Sequence, residues 1–440
     1  MVGDRHQVIR QNPMNVFCLM RDMPSRVKAM LSVSVTATAT ITVTWGSCQN
    51  PHPCQSVACY GLISRITRLL RPFIFGTLFV VVILNWLWPL PLALPVKLAA
   101  VVLIVMAALY HQWCRLSSGS VFTPEMPRPL IILFNWAFGA LMFVTLGQLL
   151  FDTVAALIAL VQWHGIVIGT APRVGVGVVA AFLSALGVWN AIRVPPVRHE
   201  TVFIPGLAPV FDGYRITQLT DLHITRLFPR RWAEEVVART NAIGADLIVV
   251  TGDFIDGSVA MRRDDVAPLS QLKAPDGVIA CPGNHEYFFD YREWMQHLAT
   301  LGFHMLLNTH CVITRAGASL VVAGVTDRSA GRHGEARPDL AAALAGRPAD
   351  APVILLDHQP GEARQAAECG VSLQLSGHTH GGMLYGLDRM VARGNNGFVS
   401  RRYEIGAMTL YVGNGTGIWP GFALRLGRPS EITCFHLKAA

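Results

Sequence analysis

The stretch Leu247-Ile248-Val249-Val250-Thr251-Gly252-Asp253 sets the pattern for the C-terminal half of this 440-residue chain. Five apolar or β-branched residues in a row read as a buried strand. A glycine and a carboxylate follow just beyond its end. The pattern recurs on both sides. Gln218-Leu219-Thr220 leads to Asp221-Leu222-His223, and Val278-Ile279-Ala280 leads to Gly283-Asn284-His285-Glu286. Pro352-Val353-Ile354-Leu355-Leu356 leads to His358, and Gly377-His378-Thr379-His380 closes the series. A lone G-D is usually a turn and a lone histidine is usually structural. Five such motifs in one order, each after a strand-like run, describe one site.

Residues i and i+2 of a strand point to the same face. Asp221 and His223 are therefore expected to reach one ion with Leu222 turned into the core, and His378 and His380 to repeat this around Thr379. Ligands at the carboxyl ends of neighbouring strands converge on a crevice, the usual ligand site of an open α/β sheet. The donors are carboxylate, imidazole and one amide, with no thiolate, a mixture that suits Mn, Fe, Zn or Co. They are too many for one tetrahedral zinc. Two divalent ions sharing a carboxylate fit better, and ions about 3.5–4 Å apart suit in-line displacement at phosphorus. His358 is placed by position alone, since it ends a strand-like run. Asp256 and Glu286 are expected to hydrogen-bond the ligands from behind.

The motifs Gln218-Leu219-Thr220-Asp221-Leu222-His223, Gly252-Asp253, Gly283-Asn284-His285-Glu286, Ser376-Gly377-His378-Thr379-His380-Gly381-Gly382 and Arg428-Pro429-Ser430-Glu431-Ile432-Thr433 resemble the calcineurin-like metallophosphoesterases, in particular their YkuE-like bacterial branch. The resemblance covers roughly residues 200–440. It implies that Asp221, His223 and His380 hold one ion, that Asn284, His358 and His378 hold the other, and that Asp253 bridges. It also implies that His285 protonates the leaving oxygen from outside the metal shell. Met383 departs from the branch, which often has Gln after the double glycine.

A mean hydropathy of +0.40 with 15% charged residues is too apolar for an ordinary soluble enzyme. The excess lies before residue 193. Residues 1–199 carry 14 basic and 4 acidic side chains, a net +10, whereas residues 200–440 carry 22 and 24, a net −2. The basic balance belongs to the apolar half, so no nucleic-acid partner is expected for the other half. Pro72–Leu90, Leu94–Tyr110, Leu130–Phe151 and Val174–Ile192 have the length and composition of membrane spans. Trp86, Trp88, Trp113 and Trp136 near their ends resemble an interfacial belt. Arg65, Arg68, Arg71, Arg115, Arg128, Arg193 and Arg198 fall on one side of a four-span arrangement, which places both termini in the cytoplasm. Thr153–Gly169 is expected to extend the third helix or lie at the interface. The expected domains are a poorly defined segment 1–60, a membrane domain 61–193 and a catalytic domain 194–440. The scattered cysteines Cys281, Cys311, Cys369 and Cys434 read as reduced and buried, as in a cytoplasmic domain.

Strands alternating with helical stretches Arg231–Ile243, Arg292–Leu301, Pro338–Ala345 and Gly361–Glu368, followed by strand-like Met408–Val412 and Ile432–Leu437, suggest two packed sheets with outer helices. The resemblance gives this form as a four-layer α/β/β/α sandwich, here preceded by an all-α transmembrane region. The glycine-rich stretch Gly413–Gly417 reads either as a phosphate-approaching loop or, slightly favoured, as a tight turn. Ile418, Trp419 and Phe422 are candidates to line an acyl-chain pocket, and Arg401, Arg402 and Arg425 to face a phosphate or an anionic headgroup. The expectation is a multi-pass protein of the bacterial inner (cytoplasmic) membrane, with its catalytic domain in the cytoplasm. It is expected to hydrolyse phosphate esters or anhydrides of a phosphorylated small molecule or lipid. Related enzymes of the branch include some that cleave the pyrophosphate of UDP-2,3-diacylglucosamine in lipid A synthesis, which makes a lipid-linked pyrophosphate the specific expectation. The alternatives are a broad phosphodiesterase or phosphatase acting on soluble nucleotides or envelope phosphates, and a non-catalytic metal-binding scaffold.

Overall fold

Leu247 and Val249 face inward between two sheets, while Ile248 and Val250 face outward under helices, so the period-2 alternation of one strand separates two cores. The computed structural model describes residues 79–163 and 167–440, and two short strands, Ser32–Val35 and Ile41–Thr44, that pair antiparallel. Apart from that hairpin, the expectations for residues 1–60 and for the start of the Pro72–Leu90 span lie outside the described residues.

The first sheet has the order β1 (Val197–Ile204), β12 (Ile432–Ala439), β2 (Arg215–Leu219), β3 (Leu247–Thr251), β4 (Val278–Cys281) and β5 (His304–Met305). β2 to β5 are parallel, and β12 runs antiparallel to β2. The second sheet has the order β10 (Arg401–Ile405), β11 (Met408–Val412), β9 (Leu373–Ser376), β8 (Val353–Leu356), β7 (Ala318–Gly324) and β6 (Thr309–Arg315). Its four inner strands are parallel and its two edge strands antiparallel. Ile216, Leu247 and Ile279 meet Leu320, Val322, Ile354 and Leu375 between the sheets. Helices Arg230–Ile243 and Tyr291–Thr300 cover the outside of the first sheet through Trp232, Val236 and Trp294. Leu340–Leu344 and Ala363–Glu368 cover the second through Ala343, Ala363 and Ala366. The result is the expected α/β/β/α sandwich. β6 and β10 were not read from the sequence, being edge strands of mixed polarity. Cys281 and Cys434 are buried, whereas Cys369 is exposed at a helix end.

The described residues between 79 and 192 are mostly helical. Among the described residues, α3 (Arg128–Gln162) and α4 (Thr170–Ile192) are long and apolar enough to cross a membrane. The pair α1 (Leu94–Ala108) and α2 (Tyr110–Ser118), bent by 56°, makes a third such element if counted as one. α3 continues unbroken past Phe151 to Gln162, so Thr153–Gln162 extends the third helix. Leu133, Leu146, Leu150, Val178 and Phe182 point outward and are exposed, an apolar surface of the kind a bilayer covers.

The two halves share an interface. The Asn135 amide on α3 donates to the Pro420 carbonyl at 3.0 Å and accepts from the Ala423 N–H at 2.7 Å. The Tyr110 hydroxyl donates to the same Pro420 carbonyl at 2.8 Å, and the Arg425 N–H donates to Gly187 O at 2.9 Å. Leu424 occupies the space that side chains at Gly139 and Gly187 would fill.

Candidate metal centre

Asp221, His223, Asp253, Asn284, His285, His358, His378 and His380 meet in one crevice, beyond the carboxyl ends of β2, β3, β4, β8 and β9. Asp221, His223 and His380 form one group of converging donors, and Asp253, His358 and His378 form a second. In the first, His223 Nε2 lies 3.2 Å from His380 Nε2, and His380 Nε2 lies 3.5 Å from Asp221 Oδ1. In the second, Asn284 Oδ1 lies 3.2 Å from His358 Nε2 and 2.8 Å from His378 Nδ1. Asp253 Oδ2 stands between them, 3.7 Å from His223 Nε2 and 3.2 Å from His358 Nε2. Donor atoms at these spacings suit ion-to-ligand bonds of about 2.0–2.2 Å. The donor set fits two divalent ions.

The backbone reaches this arrangement differently from the strand alternation expected. β2 ends at Leu219, so Asp221 and His223 lie beyond it. Both have positive φ, 53° and 45°, as do Asp253 (55°), His378 (70°) and His380 (50°). Left-handed conformations are uncommon outside glycine and concentrate where surrounding structure holds them for function. Here tight turns, not a strand face, aim the side chains. Gly283 follows from the same crowding, since a Cβ there would overlap the Asp253 carboxylate.

Hydrogen bonds fix the imidazoles. His223 Nδ1 donates to Asp256 Oδ2 at 3.0 Å and His358 Nδ1 to the Thr251 carbonyl at 2.7 Å, which leaves each Nε2 free as a donor to an ion. Asp256 also accepts from His285 Nδ1 and so orients two histidines at once. His285 Nε2 then lies 3.9 Å from Asp253 Oδ2. Glu286 accepts the N–H groups of Gly283 (2.6 Å), Asp253 (3.0 Å) and Phe254 (2.7 Å), and so clamps two motif loops together. The Gly413–Gly417 loop is tied to neighbouring segments through its own backbone N–H groups. Gly413, Asn414, Thr416 and Gly417 donate to Ser376 O, Glu431 Oε1, Thr220 O and Asp221 O. Arg425, fully buried, donates to the carbonyls of His380, Asn414, Gly417 and Arg428. It braces this loop, and burial lowers its pKa to about 10.

Burial and close opposite or like charges shift the titration of these side chains in different directions. Burial, with Asp253 alongside, raises the Asp221 pKa. Burial also opposes the charge on Asp253, but His358 and His285 hold its pKa well below the usual carboxylate range. Burial and neighbouring imidazoles and Arg425 push His380 well down, and burial with His358 takes His378 to about 3. His285 goes the other way. Burial works against its proton, but Asp253 and Asp256 prevail and hold it at about 9.

Trp419 reaches the site indirectly, through Phe122. The Phe122 ring meets Trp419 edge-on at 5.6 Å between centroids and His285 edge-on at 4.9 Å, and it stacks on Phe288 at 5.7 Å. Phe122 was not read as a site residue, because it lies in a loop of the apolar half with no motif around it. Ile418 is core. Phe422 packs edge-on against Phe138 of α3 at 6.3 Å and belongs to the interface between the halves. Arg402 holds Glu404 and the Thr201 carbonyl. Arg401 begins β10 opposite Val412 and acts on the buried Glu431.

Residues 214–382 match the calcineurin-like phosphoesterase family. The chain is 33% identical over 272 residues to a "transmembrane protein with metallophosphoesterase domain" of Danio rerio, covering 60% of this chain and 62% of that one. It is 30% identical over 263 residues to the uncharacterized metallophosphoesterase Cj0846 of Campylobacter jejuni, covering 59% and 68%. It is 31% identical over 237 residues to the uncharacterized metallophosphoesterase YkuE of Bacillus subtilis, covering 52% and 80%. The chain belongs to the calcineurin-like metallophosphoesterase family, whose members use a dinuclear divalent metal centre. It spans somewhat under two thirds of the length of the vertebrate relatives.

Proposed function

We propose that this chain is a membrane-anchored, dinuclear-metal hydrolase of phosphate esters or anhydrides. The observation that carries the reading is the position of Asp253 Oδ2 between two groups of N and O donors, with His285 beside Asp253 and His223. Asp221, His223 and His380 would hold one ion, Asn284, His358 and His378 the other, and Asp253 both. Bound there, two ions would supply a nucleophilic water near neutral pH and neutralise charge on the phosphoryl group. The chain's own residues do the rest. Asp256 holds the His285 ring by its Nδ1, leaving Nε2 turned to the crevice to protonate the departing oxygen. Glu286 keeps Asp253 in place. Retention of His285 and of every expected ligand speaks against a non-catalytic scaffold.

The apolar helices are read as a multi-pass anchor in a bacterial cytoplasmic membrane, with the catalytic domain on the cytoplasmic side. The long apolar α3 and α4 and the arginines at one set of ends support this. A site fixed beside a bilayer suits a lipid phosphate. A lipid-linked pyrophosphate such as UDP-2,3-diacylglucosamine is the preferred substrate, and lipid A biosynthesis the setting. The purified chain with Mn²⁺ should be assayed in parallel on UDP-2,3-diacylglucosamine, a chromogenic phosphodiester and a phosphomonoester. Preferential cleavage of the lipid pyrophosphate is expected. Turnover of the soluble esters alone would favour a broad phosphodiesterase or phosphatase of soluble nucleotides or envelope phosphates.

A further inference from the structure

We propose that the loop Gly119–Pro127, which belongs to the apolar half of the chain, forms the leaving-group wall of the active site, with Phe122 as a specificity-determining residue. The proposal rests on the hydrolase reading above. Phe122 lies against His285, the residue placed to protonate the departing oxygen, and continues into Phe288 and Trp419. A group leaving toward His285 therefore emerges among three aromatic rings. Phe122 comes from the loop between α2 and α3, Phe288 from the end of the short helix Asn284–Phe288, and Trp419 from the loop docked on the helices. The subsite exists only when all three segments are assembled.

A latch holds the loop there. Glu125 forms ion pairs with the buried Arg262 and, at 2.9 Å, with Arg226. Arg262 also donates to the Thr123 hydroxyl at 3.3 Å and to the Asp256 carbonyl at 3.0 Å. One guanidinium thus ties the loop to the very turn whose carboxylate orients His285 and His223. A buried Arg paired in this way is costly to leave alone, so the loop is held in register with the acid. The class of leaving group this wall accepts is a flat or extended apolar one, which rings meeting edge-on and stacked would contact closely. A small polar alcohol would gain nothing from it.

The test uses the full chain in detergent with Mn²⁺ and two phosphodiesters whose leaving groups have equal pKa, one a substituted phenyl and one a small fluoroalkyl. Phe122→Ala should lower kcat/KM for the phenyl ester by about tenfold and leave the fluoroalkyl ester nearly unchanged, with metal content as in the wild type. Phe122→Tyr should keep the preference. Glu125→Gln should reduce it in the parent and have no further effect in the Phe122→Ala background, because the two act as one unit. Equal loss on both esters, or additive effects of the two substitutions, would overturn the wall. Turnover of neither ester, nor of UDP-2,3-diacylglucosamine, by the metal-loaded wild type would overturn the hydrolase reading and the proposal with it; cleavage of UDP-2,3-diacylglucosamine with neither ester turned over would overturn the wall alone.

Discussion

Glu286→Gln should loosen the metal centre without touching a ligand. The carboxylate accepts three buried N–H groups, from Gly283, Asp253 and Phe254, at 2.6 to 3.0 Å. A glutamine of the same shape has one acceptor oxygen. Its NH₂ must face at least one of those donors, and a buried donor left unsatisfied costs about 1–3 kcal/mol. The remaining bonds change from charged to neutral acceptors, with a loss of about 1 kcal/mol each. The clamp is therefore weakened by about 3–5 kcal/mol. Because two of the three donors flank Asp253, the loss falls on the carboxylate placed between the two donor groups. Supporting hydrogen bonds of this kind typically change metal affinity by about 10–100-fold. Burial, with Asp253 nearby, pushes Glu286 up to about 7, so the comparison belongs above that pH, where the wild-type carboxylate is ionised. The assay is Mn²⁺ concentration at half-maximal ester hydrolysis, with the thermal midpoint in detergent alongside. A higher Mn²⁺ requirement and a midpoint several degrees lower are expected. Wild-type values of both would refute the clamp.

His285→Ala should keep both ions and lose about 10²–10⁴-fold in rate, most for esters with poor leaving groups; loss of metal would instead make His285 a ligand. Trp419→Ala should raise KM for a lipid substrate by roughly tenfold and barely change a small diester, given about 1.5–3 kcal/mol for burying such a side chain. Equal loss on both would assign Trp419 to the core, against which it also packs. A reporter fused after Ala440 should read as cytoplasmic, and an alkaline phosphatase fusion active in the periplasm would reverse the orientation.

The sandwich was legible because its strands are strongly patterned. Leu247–Thr251 and Val353–Leu356 are apolar throughout and end on polar motifs, so both sheets and the crevice followed from the sequence. Asp256 and Glu286 were legible as supports because they sit beside ligands in sequence. Three features were not. Positive φ at Asp221, His223 and His378 is set by contacts from distant loops, such as the Gly417 N–H on Asp221 O and the His378 N–H on the Asp221 carboxylate, which no local pattern announces. Arg425 looked like a ligand-facing cation, yet four backbone carbonyls 3 to 45 residues away claim its donors. Phe122 lies 163 residues from His285 in a half of the chain that reads only as an anchor. Each is a tertiary relation between segments whose own composition is ordinary.

The central claim is that one carboxylate, Asp253, joins two donor groups into a single hydrolytic centre. Metal content and ester hydrolysis measured together on the purified wild type and on Asp253→Asn test it most directly. Two ions per chain with metal-dependent hydrolysis in the wild type, and fewer ions with no activity in Asp253→Asn, are predicted. Two bound ions and full activity in Asp253→Asn would contradict the account.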